Sequence, residues 1–277
     1  MRRGTMTSAP PEAPVEVIAG DPASGVVLLC DHASNAIPPD YGTLGLPPGE
    51  LQRHIAYDIG AAAMTRSLAA ALGAPAVLST FSRLLIDPNR GEDDPTLLMR
   101  LSDGAVVPGN ARADAAEVER RLARFYRPYD RAIAATIETV FDSGVVPAVV
   151  SLHSFTPSWK GVPRPWHVAV LWDGDPRLPL PLIEALRACG DLVVGDNDPY
   201  DGALAGDTAH RHATLRGLSN VLIEVRQDLI AAEADATAWG RRLADVLAPI
   251  LADPAQHRVE MHRSRTDTRH RAPYRGT

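Results

Sequence analysis

The chain has 277 residues, of which 45% are hydrophobic and 22% are charged, and its formal net charge is −6. This balance is globular and allows a large buried core, as one α/β domain or two small ones. The negative net charge provides no general positive potential that would favour nucleic-acid binding. No apolar run reaches the roughly 20 residues of a membrane-spanning helix. Cys30 and Cys189 lie far apart without metal-ligand spacing, which indicates no disulfide framework and favours a cytoplasmic protein.

Two polar tails are predicted to flank one folded domain. Residues 1–16 are rich in Pro, Ala and Thr, a composition that favours disorder. Residues 255–277 carry many arginines and little apolar content, which is typical of a solvated basic tail, with an anion-binding arm as the alternative. The folded domain is therefore predicted to span residues 17–254.

Between the tails, short apolar runs alternate with amphipathic patterns, and these predict strands and helices respectively. The predicted strands are 25–30, 76–79, 84–86, 145–152, 166–172, 192–194 and 220–225. The predicted helices are 48–72, 114–141, 180–189 and 228–251. Strands that alternate with helices indicate an α/β fold in which helices cover both faces of a largely parallel sheet.

Polar side chains occur at or near the ends of four predicted strands. His32 follows the first strand, Asn89 and Arg90 follow the third, His153 ends the fourth, and Glu224 lies in the last. Ligand sites in open α/β sheets gather outside the carboxyl ends of the strands. Four such strands are better explained by one shared site than by chance.

Several of these residues have a structural alternative. His32 alone would most simply cap the following turn, and His153 alone could be a hydrogen-bonded core histidine. Glu224 lies in the apolar run Val-Leu-Ile-Glu-Val, where a carboxylate is costly unless it is paired or functional. Arg226 lies two residues further on the same face, so a structural Glu–Arg pair is the main alternative.

Two further pairs have simple alternatives as well. His54 and Asp58 are four residues apart, which on a helix is most often an exposed pair. Asn89 and Arg90 could form a turn with a surface arginine.

Together these residue types suit hydrolysis assisted by a metal ion. Imidazole and carboxylate are the usual ligands of catalytic zinc, which activates water, and a nearby glutamate can carry the proton to the leaving amine. Arginine binds a substrate carboxylate through two parallel hydrogen bonds. A serine mechanism is the rival, because serines lie beside the histidines, but no Gly-x-Ser-x-Gly motif is present. Dinucleotide and P-loop motifs are also missing from the sequence.

Five stretches resemble the N-formylglutamate amidohydrolase family, and the resemblance extends from about residue 25 to 251. They are residues 31–38, 54–61, 82–90, 151–156 and 222–228. The resemblance implies a phosphorylase/hydrolase-like fold, shared with zinc carboxypeptidases and aspartoacylases: a single-domain three-layer α/β sandwich with a mixed, mostly parallel sheet. It also implies one zinc ion as cofactor and a small acidic molecule as substrate.

The resemblance assigns roles residue by residue. It implies His32 and His153 as metal ligands and Glu224 as general base. It implies Arg83 as the group that polarises the scissile carbonyl. It implies Asn89 and Arg90 as the pair that holds a substrate carboxylate.

At one position the sequence departs from the carboxypeptidase pattern, which has Glu three residues after the first ligand His. Asn35 stands there and is a poor zinc ligand. Asp58 is the candidate third ligand, because it is acidic, lies in a family-like motif and is predicted to be helical.

Two basic residues are further candidates on the substrate side. His210 lies in residues 206–212, which resemble a substrate-side segment of the family, and it is predicted to contact the substrate or transition state, with helix capping as the alternative. Arg226 is predicted to assist Asn89 and Arg90.

The sequence therefore predicts zinc-dependent hydrolysis of an N-acylated acidic amino acid, with N-formyl-L-glutamate as the leading substrate. The alternatives are an amidase or peptidase acting on another N-acyl amino acid or peptide end, and a non-catalytic ligand-binding relative.

Overall fold

A seven-stranded sheet forms the centre of residues 13–269, the part of the chain that the computed structural model describes. The strands in chain order are β1 (Val15–Ile18), β2 (Val26–Cys30), β3 (Ala76–Ser79), β4 (Leu101–Ser102), β5 (Ala105–Val106), β6 (Ala148–Phe155), β7 (Ser158–Trp159), β8 (Val162–Pro163), β9 (Val168–Leu171), β10 (Val194–Asp196) and β11 (Asn220–Arg226). Two pairs, β4–β5 and β7–β8, form separate antiparallel ribbons.

The central sheet is mixed and mostly parallel, as the family resemblance implies. Its spatial order is β1-β3-β2-β6-β11-β9-β10. Strands β3, β2, β6 and β11 are parallel neighbours, and β10 is parallel to β9. Strand β1 runs antiparallel to β3, and β9 runs antiparallel to β11. The carboxyl ends of β2, β6 and β11 therefore lie at the same edge of the sheet.

Helices cover both faces of the sheet, which confirms the three-layer α/β architecture. The helices are α1 (Ala61–Leu72), α2 (Pro108–Ala111), α3 (Ala115–Arg121), α4 (Arg127–Asp142), α5 (Pro179–Ala188), α6 (Thr208–His212), α7 (Glu233–Leu251) and α8 (Thr266–Arg269). Alternate residues of β2 enter two cores: Val26 and Leu28 pack with α1, α5 and α7, whereas Val27 and Leu29 pack with α4. This is the two-residue period of a strand buried on both sides. Within residues 13–269, no helix combines the length and apolar composition that a membrane span requires.

The predicted helix 48–72 is wrong over its first half. Residues 48–52 form a 3-10 turn, residues 53–60 are irregular, and α1 begins only at Ala61. Gly60 takes a φ of +82°, and a Cβ atom there would lie 2.1 Å from the carbonyl oxygen of Ile230. This close approach ends the irregular segment and places Asp58 in a loop.

The predicted strand 84–86 is also wrong. These residues are buried but form turns, because tertiary packing and not strand pairing covers their apolar side chains. The predicted helix 114–141 is confirmed, with Asp114 as its cap and one π-helical turn at 122–126 between α3 and α4.

The structure describes part of each predicted tail. Residues 1–12 and 270–277 lie outside the described residues, but Val15 already begins an edge strand. At the other end, Gln256 is buried and its side-chain amide donates to the backbone oxygen of Arg177 at 2.8 Å. The backbone N–H of Arg265 donates to Asp173 at 2.7 Å. These polar contacts hold the stretch against the fold despite its low apolar content.

Candidate metal centre and active site

Three buried side chains converge at the carboxyl edge of the sheet: His32, Asp58 and His153. One ligand-type atom from each lies within 4.8 Å of the others. The Asp58 carboxylate oxygen Oδ2 lies 3.3 Å from Nδ1 of His32 and 2.8 Å from Nδ1 of His153. Two imidazoles and one carboxylate are the donor set of many catalytic zinc sites, so this group could hold a metal ion.

The position of Asp58 follows from the irregular segment before α1. The backbone N–H of Asp58 donates to the carbonyl of His32 at 2.9 Å, which ties this loop to the end of β2. Arg83 fixes the loop from the other side, because its backbone N–H donates to the carbonyl of Ala56 at 3.2 Å. A residue that sequence pattern placed on an exposed helix is thereby buried between two histidines.

A buried carboxylate orients each histidine from behind. Nε2 of His32 lies 2.7 Å from Asp87, and Nε2 of His153 lies 3.3 Å from Asp31. Carboxylates in this position fix the ring and its tautomer in metal sites, so that the other nitrogen is free to bind. Both histidines therefore direct Nδ1 to the same point beside Asp58.

Asp31 is itself held by two hydroxyl groups. Its Oδ1 accepts hydrogen bonds from Tyr129 at 3.0 Å and from Thr208 at 2.8 Å. Burial alone would raise the pKa of Asp31, but the hydrogen bond and charge of His153 hold it below its usual range. Asp31 thus remains a carboxylate that accepts from His153.

Arg83 lies beside the candidate metal ligands His32 and Asp58. Its Nη2 donates to Asp87 at 2.8 Å, and its Nη1 is 3.2 Å from Nδ1 of His32 and 3.6 Å from Asp58. Burial would raise the pKa of Asp58, yet His32 and His153 hold it well below the usual range. Asp58 is therefore ionised at neutral pH and able to act as a ligand.

Glu224 lies next to His153 across the parallel pair β6–β11. Its oxygen Oε2 is buried and has no hydrogen-bond partner among residues 13–269. Burial raises the pKa of Glu224 to about 7. Arg226 does not neutralise it, because the Arg226 guanidinium is paired with Asp228 at 2.7 Å. The structural Glu–Arg pair that the sequence left open is not formed.

These groups open into one cavity of about 420 Å³. The cavity is lined by the candidate residues His32, Asp58, Arg83, Asn89, Arg90, His153 and Glu224, by apolar and aromatic residues that include Met99, Leu101, Phe155, Trp159, Leu171, Tyr200, Leu204 and Leu222, and by further polar residues that include Asp103, Asp201 and Asp207. It thus combines the candidate metal group with a wall of both apolar and acidic side chains.

Two predicted candidates, Arg226 and His210, lie away from the cavity, and the simple pair of His54 with Asp58 is not formed. Arg226 does not line the cavity, and within residues 13–269 its guanidinium bonds to Asp228 and to backbone oxygens near the start of β9. His210 does not line it either, and its Nδ1 accepts from the backbone N–H of Gly206 at 3.3 Å. His54 lies at the cavity wall, 3.5 Å from Asp103 instead of pairing with Asp58.

Asp31 and Asp87 are the residues of this centre to which the sequence assigned no role. The sequence did contain a signal for their role. Each aspartate stands just before a candidate residue, as in Asp31-His32 and Asp87-Pro-Asn89. Their role depends on which histidine nitrogen they face, and sequence does not encode that orientation locally.

Comparison with known proteins gives the chain a family and a fold. Residues 24–231 match the family model of N-formylglutamate amidohydrolase. A gene product of Agrobacterium tumefaciens with a crystal structure is 36% identical, has a TM-score of 0.80, and aligns over 87% of this chain and 95% of its own. N-formylglutamate amidohydrolase from Ralstonia eutropha is 23% identical, with a TM-score of 0.65 over 86% of this chain and 99% of its own, a likeness that concerns the fold alone. No curated protein matches significantly.

Proposed function

The chain belongs to the N-formylglutamate amidohydrolase family, and from this premise we propose that it is a zinc-dependent hydrolase of N-acylated acidic amino acids, with N-formyl-L-glutamate as the leading substrate. The observation that carries the proposal is the convergence of His32, Asp58 and His153 in a cavity beside the unpartnered oxygen of Glu224. In this reaction water adds to the acyl carbon, the carbon–nitrogen bond breaks, and formate and glutamate are the products.

The donor set fits a single divalent metal ion. His32, His153 and Asp58 would hold it, and Asp87 and Asp31 would keep both Nδ1 atoms free of protons. Such an ion supplies Lewis acidity that activates water and polarises the amide carbonyl. Asn35 is not a competing ligand, because its side-chain amide donates to the backbone oxygen of Leu51 at 2.8 Å.

Glu224 is the proposed general base and acid. A base near the operating pH transfers protons most effectively, and burial raises the pKa of Glu224 to about 7. It takes a proton from the attacking water and returns it to the nitrogen of the leaving amine. Arg83, held by Asp87 and lining the cavity, is placed to stabilise negative charge that develops on the carbonyl oxygen.

Asn89 and Arg90 are the proposed binding pair for the α-carboxylate. Arg90 donates to the backbone oxygen of Asn89 at 2.8 Å and to the hydroxyl of Thr96 at 3.2 Å, and it makes no ion pair with a carboxylate among the described residues. The Asn89 Oδ1 atom is held by the backbone N–H of Thr208 at 3.0 Å. That contact fixes the amide and leaves its N–H₂ group for a ligand.

The rival serine mechanism has one geometric feature in its favour. The Ser151 hydroxyl lies 3.1 Å from Nε2 of His153. Ser151 is buried, however, and does not line the cavity. A nucleophile must reach the substrate, so we assign Ser151 a structural role in orienting His153.

The experiment that tests the proposal begins with metal analysis of protein purified without an affinity tag. We expect about one zinc per chain, consistent with a single site of three protein ligands. Formate release from N-formyl-L-glutamate should be lost on chelation and return with added zinc. Metal without formate release would favour another N-acyl amino acid or peptide end as substrate. Absence of both metal and turnover would favour a ligand-binding relative.

A further inference from the structure

One side of the cavity is an apolar surface on the central sheet. Phe155, Leu171 and Leu222 line the cavity, and together with Ala169 they form a small core cluster apart from the two main cores. Along β9 and β11 they alternate with residues of the core under α5 and α7, so they lie on the opposite face, where α4 packs on β1, β2 and β3. The cavity therefore lies over β9 and β11, beside the part of this face on which α4 packs.

The apolar surface begins directly beside Glu224. Leu222 stands two residues before Glu224 on β11, so both side chains lie on one face of the sheet, and Leu171 of β9 is the cross-strand partner of Leu222. On the other neighbouring strand, His153 is the partner of Glu224, and Phe155 follows His153 on the same face. A group bound at the candidate metal centre is thus contiguous with apolar side chains.

The loop between β10 and α6 lines the cavity from the apolar surface to the segment that carries Arg90. A Cβ atom on Gly202 of this loop would lie 2.7 Å from the backbone carbonyl carbon of Leu171, whereas one on Gly206 would lie 3.1 Å from Cα of Gly91. In an N-acyl amino acid, the scissile carbonyl separates the α-carboxylate from the acyl chain. With the carboxylate at Arg90 and the carbonyl at the metal group, the acyl chain extends toward Leu171.

Two aromatic residues at the opening of the cavity are partly exposed. Trp159 of the β7–β8 ribbon is 39% exposed and Tyr200 is 43% exposed, and both line the cavity. Burial of apolar surface that water otherwise covers is favourable, and exposed apolar side chains grouped at a groove mark ligand sites. An apolar ligand group would cover these rings at the outer end of the apolar surface.

The acidic side chains of the same wall are already engaged. Asp103 is paired with Arg53 at 2.6 Å, and Asp201 is paired with Arg265 at 2.9 Å. Asp207 caps the first turn of α6 by accepting a backbone N–H at 2.7 Å. These carboxyl groups therefore do not require a cationic ligand and do not oppose an apolar one.

N-formyl-L-glutamate is too small to cover the apolar surface. It has 12 non-hydrogen atoms, and its formyl group ends at the carbonyl carbon. Cavities of about 300 to 1,000 Å³ bury drug-sized ligands, and this cavity has about 420 Å³. A formyl substrate would leave the apolar side chains beyond the scissile carbonyl in contact with water, whereas an acyl chain would displace that water.

We propose that the surface formed by Phe155, Leu171 and Leu222, with Trp159 and Tyr200 at its outer end, binds a medium-length aliphatic acyl chain of the substrate. This inference rests on the proposed function for the reaction, and it names the acyl group on which that reaction acts. N-formyl-L-glutamate is then a minimal substrate that reaches the metal group but not the apolar surface.

The test compares N-formyl-, N-acetyl- and N-octanoyl-L-glutamate as substrates of the zinc-loaded protein. One buried methylene contributes about fourfold, so burial of three should make kcat/KM for the octanoyl substrate at least about 60-fold higher than for the acetyl substrate. Trp159→Ser should lower the ratio of kcat/KM for the octanoyl and formyl substrates by at least about fourfold. Val162→Ser is the matched control and should keep the ratio, because Val162 pairs with Trp159 in the same ribbon, is 67% exposed and does not line the cavity.

Three results would overturn the proposal. The first is an equal kcat/KM for the octanoyl and acetyl substrates. The second is the same loss in Val162→Ser as in Trp159→Ser, because the fold of the ribbon and not contact with Trp159 would then set the ratio. The third is a higher kcat/KM for N-formyl-L-phenylalanine than for N-octanoyl-L-glutamate, since the apolar surface would then hold the amino acid side chain.

A binding measurement separates this proposal from the proposed function. Octanoate, the acid that hydrolysis would release, should bind the wild-type protein more tightly than acetate in isothermal titration, and Trp159→Ser should reduce that difference. If no N-acyl glutamate is hydrolysed but the octanoate preference depends on Trp159, the reaction is wrong and the acyl site stands. If N-formyl-L-glutamate is hydrolysed but octanoate binds no more tightly than acetate, the acyl site is wrong and the proposed function stands.

Discussion

The substitution Asp87→Asn is expected to weaken metal binding without removing any ligand. Asp87 accepts hydrogen bonds from Nε2 of His32 at 2.7 Å, from Arg83 at 2.8 Å and from the backbone N–H of Asn89 at 2.9 Å. A neutral amide lacks the charge that holds the His32 proton on Nε2. The lone pair of Nδ1, which would bind the metal, is then no longer fixed in place.

Asp87→Asn is expected to change both the metal affinity and the free energy of unfolding, and the size of each effect can be estimated. Carboxylates that orient metal-binding histidines typically contribute 10- to 100-fold in affinity, so we expect a rise in the metal dissociation constant of about that size. Asp87 is 1% exposed, and breaking a buried ion pair costs about 3 to 5 kcal/mol. Asp58 remains 3.6 Å from Arg83 and partly compensates it. We therefore expect the free energy of unfolding to fall by about 3 kcal/mol, near the lower end of that range.

The assay is urea unfolding of chelator-treated protein, together with zinc titration against a competing chelator. Asp40→Asn is the matched control, because Asp40 also pairs with an arginine, Arg124, but both side chains are at least half exposed. An exposed pair contributes about 0 to 1 kcal/mol. Equal stability of the two variants, or an unchanged zinc affinity in Asp87→Asn, would refute this account of how His32 is oriented.

Three further outcomes are expected. Glu224→Gln keeps the shape of the side chain but cannot take a proton, so kcat should fall by about 10²- to 10⁴-fold while metal content stays the same. Asp58→Ala removes a ligand, so zinc affinity should fall by more than the roughly 100-fold upper limit for residues that only orient ligands. Asp207→Asn should remove a pH-dependent loss of stability, because burial raises the pKa of Asp207 to about 7. The folded wild-type protein holds this proton longer than the unfolded chain, so its stability falls as pH rises from about 4 to 7, by up to about 4 kcal/mol. Asn can still accept the hydrogen bond from the backbone N–H of His210 that Asp207 accepts at 2.7 Å.

Each of these outcomes has a clear contrary result. A Glu224→Gln protein that retains a tenth of the wild-type rate or more would argue against Glu224 as the base. Full zinc occupancy in Asp58→Ala would show that the third ligand lies elsewhere. For Asp207, the stabilities of wild type and Asp207→Asn should diverge across the pH window in chelator-treated protein. A constant difference from pH 4 to pH 8 would contradict the buried-carboxyl reasoning.

The three-layer fold and the placement of three site residues follow from local sequence pattern. Apolar runs buried on both faces predict β2, β6 and β11, and His32, His153 and Glu224 lie at or near the ends of these strands. Because ligand sites gather outside the carboxyl ends of parallel strands, the pattern predicted one shared site for these residues. The strand order that makes β2, β6 and β11 neighbours came only from the structure. The mixed direction of the sheet could not be obtained this way. The β9 run has the same apolar character as the parallel strands β2, β6 and β11, and the antiparallel pairing of β9 with β11 depends on a connection of many residues.

Predictions from local sequence pattern were wrong where contacts between distant segments decide the conformation. Asp58 was predicted on a helix, yet its backbone bond to His32, 26 positions away in sequence, holds it in a loop. Arg226 and His210 were predicted to contact the substrate. Arg226 is instead paired with Asp228, and His210 accepts a hydrogen bond from the backbone just before α6.

The sequence by itself determined the strands of the central sheet other than β1, the layers and the types of residue available for chemistry, because periodicity of apolar side chains is a local property. Only the tertiary structure decided that Asp58 faces both histidines, that Asp87 and Asp31 orient them, and that Glu224 has an unpartnered oxygen beside them. These are relations between segments far apart in the chain. They are fixed by which side chains are buried together, and burial is set by the whole fold.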